Sequence, residues 1–256
     1  MIKTTMSSLF TDRTSILCSS INYEEQRLQA LEQYNILYTA AEEEFDVLVA
    51  LASTICDTPI SLISLITHDR QWFKAGIGLE IEETPLSVSF CQYAIKHDEV
   101  LEVPDALSDI RFYQNPFVVG EPKIRFYAGA PLVNKDGFKL GTLCVVDLIP
   151  KELTEKQRLA LATLAEQVVA HLELRRMKEQ LELEKQQLVK AWNLLQQVHQ
   201  MPYLSGLKSS LSTVHYLTNK LETAVLTQNL PAAANCLRSL KAQLQNLETG
   251  LDHKGS

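Results

Sequence analysis

The chain has no excess of positive charge, no CxxC pair, and no apolar run long enough to cross a bilayer. Each absence excludes a class of function. With 24 Lys and Arg against 31 Asp and Glu the net charge is -7, whereas nucleic-acid binding calls for a basic patch. Nothing in the charge pattern suits a membrane surface, and a spanning helix needs about 20 consecutive apolar residues. Met1 to Ser20 is rich in Ser and Thr but lacks the basic segment and apolar core of a secretion signal. It reads as a flexible tail, over 1–22, on a cytoplasmic protein. The cysteines, Cys18, Cys56, Cys91, Cys144 and Cys236, are scattered and have no metal-ligand spacing. They read as reduced thiols, most of them small core residues, and no metal site is expected.

What is present is strand-forming sequence around one turn. Ile124-Arg-Phe-Tyr-Ala-Gly-Ala-Pro-Leu132 and Lys139-Leu-Gly-Thr-Leu-Cys-Val-Val-Asp147 flank the loop Asn134-Lys-Asp-Gly137. Asp136-Gly137 supplies the positive φ of a tight reversal, and the flanks are rich in aromatic and β-branched residues. On the first strand Ile124, Phe126, Ala128, Ala130 and Leu132 share one face, and Arg125, Tyr127, Gly129 and Pro131 share the other. Neither face is purely polar, so both are expected to be covered, by helices on one side and a partly closed cavity on the other.

Upstream, helical spacing predicts a helix from Tyr23 to Tyr34 and another from about Glu42 to Cys56, with Phe45, Leu48, Val49, Ala52 and Ile55 on one side. Ile60 to Thr67 and Gln71 to Ile77 read as strands joined at His68-Asp69-Arg70. Ser87 to Lys96 reads as a short helix with Ser87 as N-cap, Glu99 to Val103 as a strand, and Ser108 to Pro122 as a loop with one helical turn at most. This order gives an α+β domain with one antiparallel-rich sheet and flanking helices.

Proline and glycine are absent from Lys151 to Met201, which permits one long helix. Thr154 and Gln157 form a capping-box pattern at its start. Leu174, Leu181, Leu188 and Leu195 recur at intervals of seven, and Met177, Ala191 and Val198 fall three residues after three of them. The spacing predicts a coiled-coil seam, with Glu184 as a polar, register-setting interruption. Beyond Pro202, Leu207, Leu211, Val214, Leu221 and Val225 mark one helix. After a turn at Gln228-Asn-Leu-Pro231, Leu237, Leu240, Leu244, Leu247 and Leu251 mark another. So short a helical hairpin buries little core, and dimerisation into a four-helix bundle is expected. The domain boundaries read as 23–176 for the α+β domain and 177–256 for the long helix and hairpin.

Several ordered segments resemble a GAF domain of the kind at the input end of bacterial sensor histidine kinases and diguanylate cyclases. They are Ser89-Phe-Cys-Gln-Tyr-Ala-Ile95, Val103-Pro-Asp-Ala106, Asp109-Ile-Arg-Phe112, Asn115-Pro116, Gly120 to Gly129, Pro131-Leu132, Gly141 to Asp147 and Pro150. The resemblance covers about Tyr23 to Arg176 and implies a GAF, PAS-like fold and a sensory role. It does not name a ligand, and the cofactor is unknown. Bilin-binding members use a Cys followed by His, whereas Gln92 follows Cys91. The cyclic-nucleotide signature lacks its Asp-Glu pair after Asn134-Lys135 and Phe138, and the cysteine trio of the methionine-sulfoxide-reducing members has no counterpart.

Ligand-binding candidates are Phe90, Cys91, Tyr93, Asp105, Arg111, Arg125, Tyr127 and Cys144. Arginine suits a carboxylate or phosphate, and Trp72, Phe90, Tyr93, Phe126 and Tyr127 offer apolar lining. A salt-bridge network tying 108–122 over the sheet is the alternative for Asp105, Asp109, Arg111 and Arg125. The C-terminal hairpin loosely resembles the dimerisation and phosphotransfer helices of histidine kinases. The segment Val198-His-Gln-Met-Pro-Tyr203 departs from the His-Glu-x-x-Thr-Pro box, however, and no ATP-binding domain is expected after it. No catalytic residue is therefore expected, with His199, and after it His215, left as phosphoacceptor candidates. The expected function is a non-enzymatic homodimeric sensor that binds a small ligand or responds to redox state and relays it through the helical seam. The alternative is a degenerate histidine kinase or phosphotransfer protein that docks a response regulator or kinase partner.

Overall fold

The computed structural model describes residues 22–199, 208–227 and 229–252. These form two compact units that divide between Arg176 and Met177. No described helix is long and apolar enough to cross a membrane.

The first unit opens with α1 over 22–32 and α2, Glu43–Cys56. Glu43, Glu44 and Asp46 in the first turn of α2 complement the positive end of its dipole. The helix ends where Asp57 turns into the left-handed region at φ 52°. The strands are β1 (Ile60–Ile66), β2 (Arg70–Ile77), β3 (Glu83–Pro85), β4 (Leu101–Val103), β5 (Phe126–Val133) and β6 (Lys139–Asp147). They form one six-stranded sheet in the order β3-β2-β1-β6-β5-β4, and every neighbouring pair is antiparallel. Short helices α3 (Cys91–Ala94) and α4 (Pro116–Val119) lie in the segments between β3 and β5. The capping box starts α5, Glu155–His199: Gln157 N donates to Thr154 Oγ1 at 3.3 Å and Thr154 N to Gln157 Oε1 at 3.0 Å.

Both faces of the sheet are covered. Phe126, Ala128, Ala130 and Leu132 of β5 and Leu143 and Val145 of β6 pack with Leu31 of α1, Phe45 and Val49 of α2, and Leu161, Ala165, Val168 and Leu172 of α5. On the other face Leu62, Tyr127, Cys144 and Val146 pack with Phe90, Cys91, Phe112 and Val118. Buried on both sides, β1 reads as nearly unbroken apolar sequence. At the hairpin Gly137 takes φ 83°, and Asn134 Oδ1 accepts from Asp136 N and Phe138 N, a structural use of that asparagine.

The structure corrects several expectations. Ser87 caps nothing. It lies in a 3-10 turn, Leu86–Val88, and Ser89 Oγ accepts from Gln92 N at 3.2 Å across the start of α3. Ile55 faces solvent with Val47 and Leu51, because the helix turns this second apolar stripe away from the sheet. Trp72 and Phe126 belong to the helix-covered face. The edge strand β3 is too short and polar for its sequence to signal a strand.

The second unit contains the C-terminal part of α5 together with α6 (Lys208–Leu226) and α7 (Leu230–Asp252). Leu188 is buried with Val214, Leu221, Ala233, Leu237 and Leu240, and Leu181 and Leu195 pack around them. Leu188 is thus covered within one chain, whereas Leu181 and Leu195 are half-buried. The expected interruption, Glu184, pairs with Lys241 of α7 at 3.2 Å. The fourth seam residue, Leu174, is half-buried in the first unit. Pro202, Leu207, the tail 1–21 with Cys18, and the side chains of His199, Leu211, Leu247 and Leu251 lie outside the described residues.

Candidate functional site

On the sheet face away from α1, α2 and α5, a cavity of about 50 Å³ lies against β1, β2 and β6. Its apolar wall includes Leu62, Phe73, Phe90, Phe117, Ile124 and Val146, and no lining residue is charged. Phe90 stacks on Phe112 with ring centres 4.1 Å apart and on Tyr127 at 5.2 Å, which fixes the wall around α3. Leu79 is half-buried and Ile81 37% exposed, so the cavity meets the surface beside β3.

Two polar groupings interrupt this lining. At one, Ser89 Oγ donates to Gln71 Oε1, and both residues are buried. Beside them in the wall, the Thr84 hydroxyl is buried without a hydrogen-bond partner among the described residues. Such a group costs about 1–3 kcal/mol when left unpaired. At the other, the sulfurs of Cys91 and Cys144 lie 3.9 Å apart, and Tyr127 Oη donates to Cys91 Sγ at 3.3 Å. Cys144 lies on β6 opposite Gly129 of β5. The Tyr127 ring lies over that glycine, where any Cβ would collide with the phenol. Deep burial raises Cys91, but hydrogen bonds from Cys144, Ser64, Thr142 and Tyr127 outweigh it and lower the thiol. The bond to Cys91, reinforced by burial, holds Cys144 well above its ordinary value. Burial likewise keeps Tyr127 protonated as a donor.

Of the sequence candidates, Phe90, Cys91, Tyr127 and Cys144 meet in this cavity wall. Tyr93 does not: it packs edge-on against Phe112 at 5.0 Å beneath Lys96. Asp105 closes a turn, accepting from Leu107 N and Ser108 Oγ. Arg111 pairs with Asp109 at 2.6 Å, and Arg125 donates to the carbonyls of Val118 and Ile124. These three stabilise loops, and none of them lines the cavity. His215 stacks on Trp192 at 5.2 Å. The polar cavity residues that sequence reasoning missed are Gln71, on a strand read only for its apolar pattern, Thr84, on the edge strand β3 that the sequence did not signal, and Ser89, read only as part of a motif. A buried polar residue inside an apolar strand was the available signal.

A model of the GAF domain matches residues 40–172, just over half of the chain. Over 150 residues, 58% of this chain, the sequence is 47% identical to a cyclic di-GMP phosphodiesterase of Pseudomonas aeruginosa. The chain spans about a quarter of that relative, 26% of its length. Among solved structures, the GAF domain of a Coxiella burnetii phosphoenolpyruvate-protein phosphotransferase is 16% identical, with a TM-score of 0.46 over 62% of this chain and 95% of that one. The corresponding Acinetobacter domain is 18% identical, with a TM-score of 0.45 over 60% and 93%. The family match takes in every strand of the sheet and every residue of the cavity wall, and the chain belongs to the GAF family.

Proposed function

We propose that this GAF domain is a cytoplasmic signalling sensor whose cavity takes a small, neutral, largely apolar molecule with one hydrogen-bonding group. The observation that carries this reading is the unpartnered Thr84 hydroxyl in an otherwise apolar wall beside the Ser89–Gln71 pair. The volume of about 50 Å³ suits a few heavy atoms, whereas drug-sized ligands fill pockets of about 300–1,000 Å³. A tetrapyrrole or a cyclic dinucleotide needs more room.

The relay runs through the sheet. On β6, Cys144 and Val146 face the cavity while Leu143 and Val145 face the helices that include α5. The start of α5 is tied to β4: Leu153 N donates to Glu102 Oε1 at 2.8 Å, and Arg158 pairs with Glu102 at 2.6 Å. A strand displaced by a ligand therefore carries α5, which continues as far as His199. We place the output in a homodimer. The exposed α2 stripe Val47, Leu51 and Ile55 supports a dimer face better than the seam, whose Leu188 is buried by α6 and α7 of the same chain. The 47% identity to a cyclic di-GMP phosphodiesterase supports a place upstream of cyclic di-GMP turnover.

Native mass spectrometry of freshly purified full chain tests the reading. The expected result is a retained small molecule that is released on denaturation. Overturning results are protein free of any bound mass that gains no thermal stability from small neutral organics, or phosphate accepted from a labelled kinase partner and lost on His199→Ala. The latter outcome establishes the phosphotransfer alternative.

A further inference from the structure

We propose that Cys91 and Cys144 form a redox-active dithiol that closes to a disulfide on reaction with a small hydroperoxide entering through the cavity. The inference concerns the opposite polar grouping from Thr84 and does not rest on the ligand reading of the cavity.

The geometry supplies what the reaction needs. The sulfurs, 53 residues apart in sequence, face each other at 3.9 Å. A disulfide spans about 2.05 Å, so they must close by just under 2 Å. Cys144 is fixed, because β6 is paired along its length with β1 on one side and β5 on the other. Cys91 sits in the first turn of a four-residue helix held between loops, so the approach falls to α3. Both thiols are almost wholly covered, and the cavity wall they share is the route by which a small oxidant reaches them.

Tyr127 Oη, donating to Cys91 Sγ at 3.3 Å, stabilises negative charge on that sulfur and marks it as the attacking one. Electrostatics agree in direction, since the surrounding donors lower the Cys91 thiol while the bond to Cys91 and burial raise that of Cys144. The step balances as follows. The Cys91 thiolate attacks the terminal peroxide oxygen; the O–O bond breaks, and the alcohol (or water) leaves with the proton given up by Cys91. Cys91 is now a sulfenic acid. The Cys144 sulfur attacks Cys91 Sγ, the S–OH bond breaks, and hydroxide leaves as water with the Cys144 proton. Two electrons pass from the thiol pair to the peroxide, and one disulfide forms.

The consequence follows from what α3 carries. Phe90 and Ser89 immediately precede Cys91, and one stacks on Tyr127 while the other bonds Gln71. Drawing α3 onto β6 moves this wall inward, so oxidation narrows the cavity and acts on the same strand as a ligand.

The test treats the full chain with hydrogen peroxide, denatures it in excess alkylating agent, and maps the peptides by mass. The expected product has lost two hydrogens, with the Cys91 and Cys144 peptides linked, both thiols blocked to alkylation, and full reversal by dithiothreitol. In Cys144→Ser the expected product is a sulfenic acid at Cys91 that dimedone traps. The proposal is overturned if peroxide leaves both thiols alkylatable, if Cys91 passes to sulfinic acid without a link to Cys144, or if links to Cys18, Cys56 or Cys236 form as readily. The wild-type measurement requires no variant to fold, and none of these outcomes depends on a ligand.

Discussion

Lys74 and Glu42 form an ion pair at 2.6 Å in which the lysine side chain is wholly buried. Lys74 Nζ also donates to Thr39 Oγ1 at 2.9 Å and Ala40 O at 2.6 Å, so its three donors are satisfied. Glu42 Oε1 accepts in turn from Arg175 Nε at 3.2 Å. One carboxylate therefore joins β2, the start of α2, and α5. Glu42→Gln leaves a buried ammonium without its counter-charge, at a cost of about 3 kcal/mol. The double variant with Lys74→Met is expected to recover part of that loss. Urea unfolding of the three proteins measures it.

Thr84→Val removes a buried hydroxyl that has no partner among the described residues and keeps its shape. Stability of the ligand-free protein is expected to rise by about 1 kcal/mol, and retention of a bound molecule in native mass spectrometry is expected to fall. A destabilised variant would show that the hydroxyl is engaged by the protein.

Gly129→Ala places a methyl group against the Tyr127 phenol. The ring must turn away and loses its bond to Cys91, at an expected cost of about 1–3 kcal/mol from overpacking. Tyr127→Phe, which keeps the packing, is expected to fold normally while alkylation of Cys91 slows. Equal alkylation rates in Tyr127→Phe and the parent would remove the tyrosine from any role at the thiol.

Leu188→Asp and Leu51→Asp separate two apolar surfaces. Leu188 is buried inside the helical unit, and a carboxylate there is expected to cost about 3 kcal/mol or more and reduce helical circular dichroism. Leu51 is 43% exposed on α2. Its replacement is expected to leave the fold intact and halve the mass seen by light scattering. An unchanged mass would remove the α2 stripe from the dimer.

Alkaline pH is expected to weaken the fold. Burial, assisted by a hydrogen bond to Glu173, raises the Tyr34 hydroxyl to about 12, and burial raises the Cys56 thiol to about 11. The native state holds both protons more tightly than the unfolded chain, whose groups ionise from about pH 9 and pH 10. Stability is thus fully present below about pH 9 and is lost as pH rises toward 12. Cys56→Ala is expected to flatten the lower part of this fall, read as the urea midpoint at about pH 8 and about pH 10.5.

Local signals made the α+β order legible before the fold was known. Asp136-Gly137 marked the hairpin, Thr154 with Gln157 marked the start of α5, and unbroken apolar strands such as Ile60 to Ile66 marked a sheet covered on both sides. The same patterns were silent on partners. Trp72 and Phe73 are adjacent on β2 yet face opposite cores, a consequence of the two-residue period that depends on the register with β1. The seam of seven-spaced leucines fixed which side of α5 is apolar. A helix face does not specify what covers it, and α6 and α7 of the same chain cover Leu188.

By itself the sequence determined the family, the start of α5 and the alternation of faces within β5 and β6, because these depend on residues near one another in the chain; Ile124, read as sharing a face with Phe126, lies ahead of β5 and lines the cavity instead. Tertiary structure alone decided that Cys91 and Cys144 meet, that Thr84 has no partner among the described residues beside the Ser89–Gln71 pair, and that Arg111 and Arg125 serve loops. The physical reason is that a contact between elements distant in sequence, such as Cys91 on α3 with Cys144 on β6, leaves no record in local propensity; the partners of Arg111 and Arg125 are near in the chain, but only the packed fold shows that both stand outside the cavity wall.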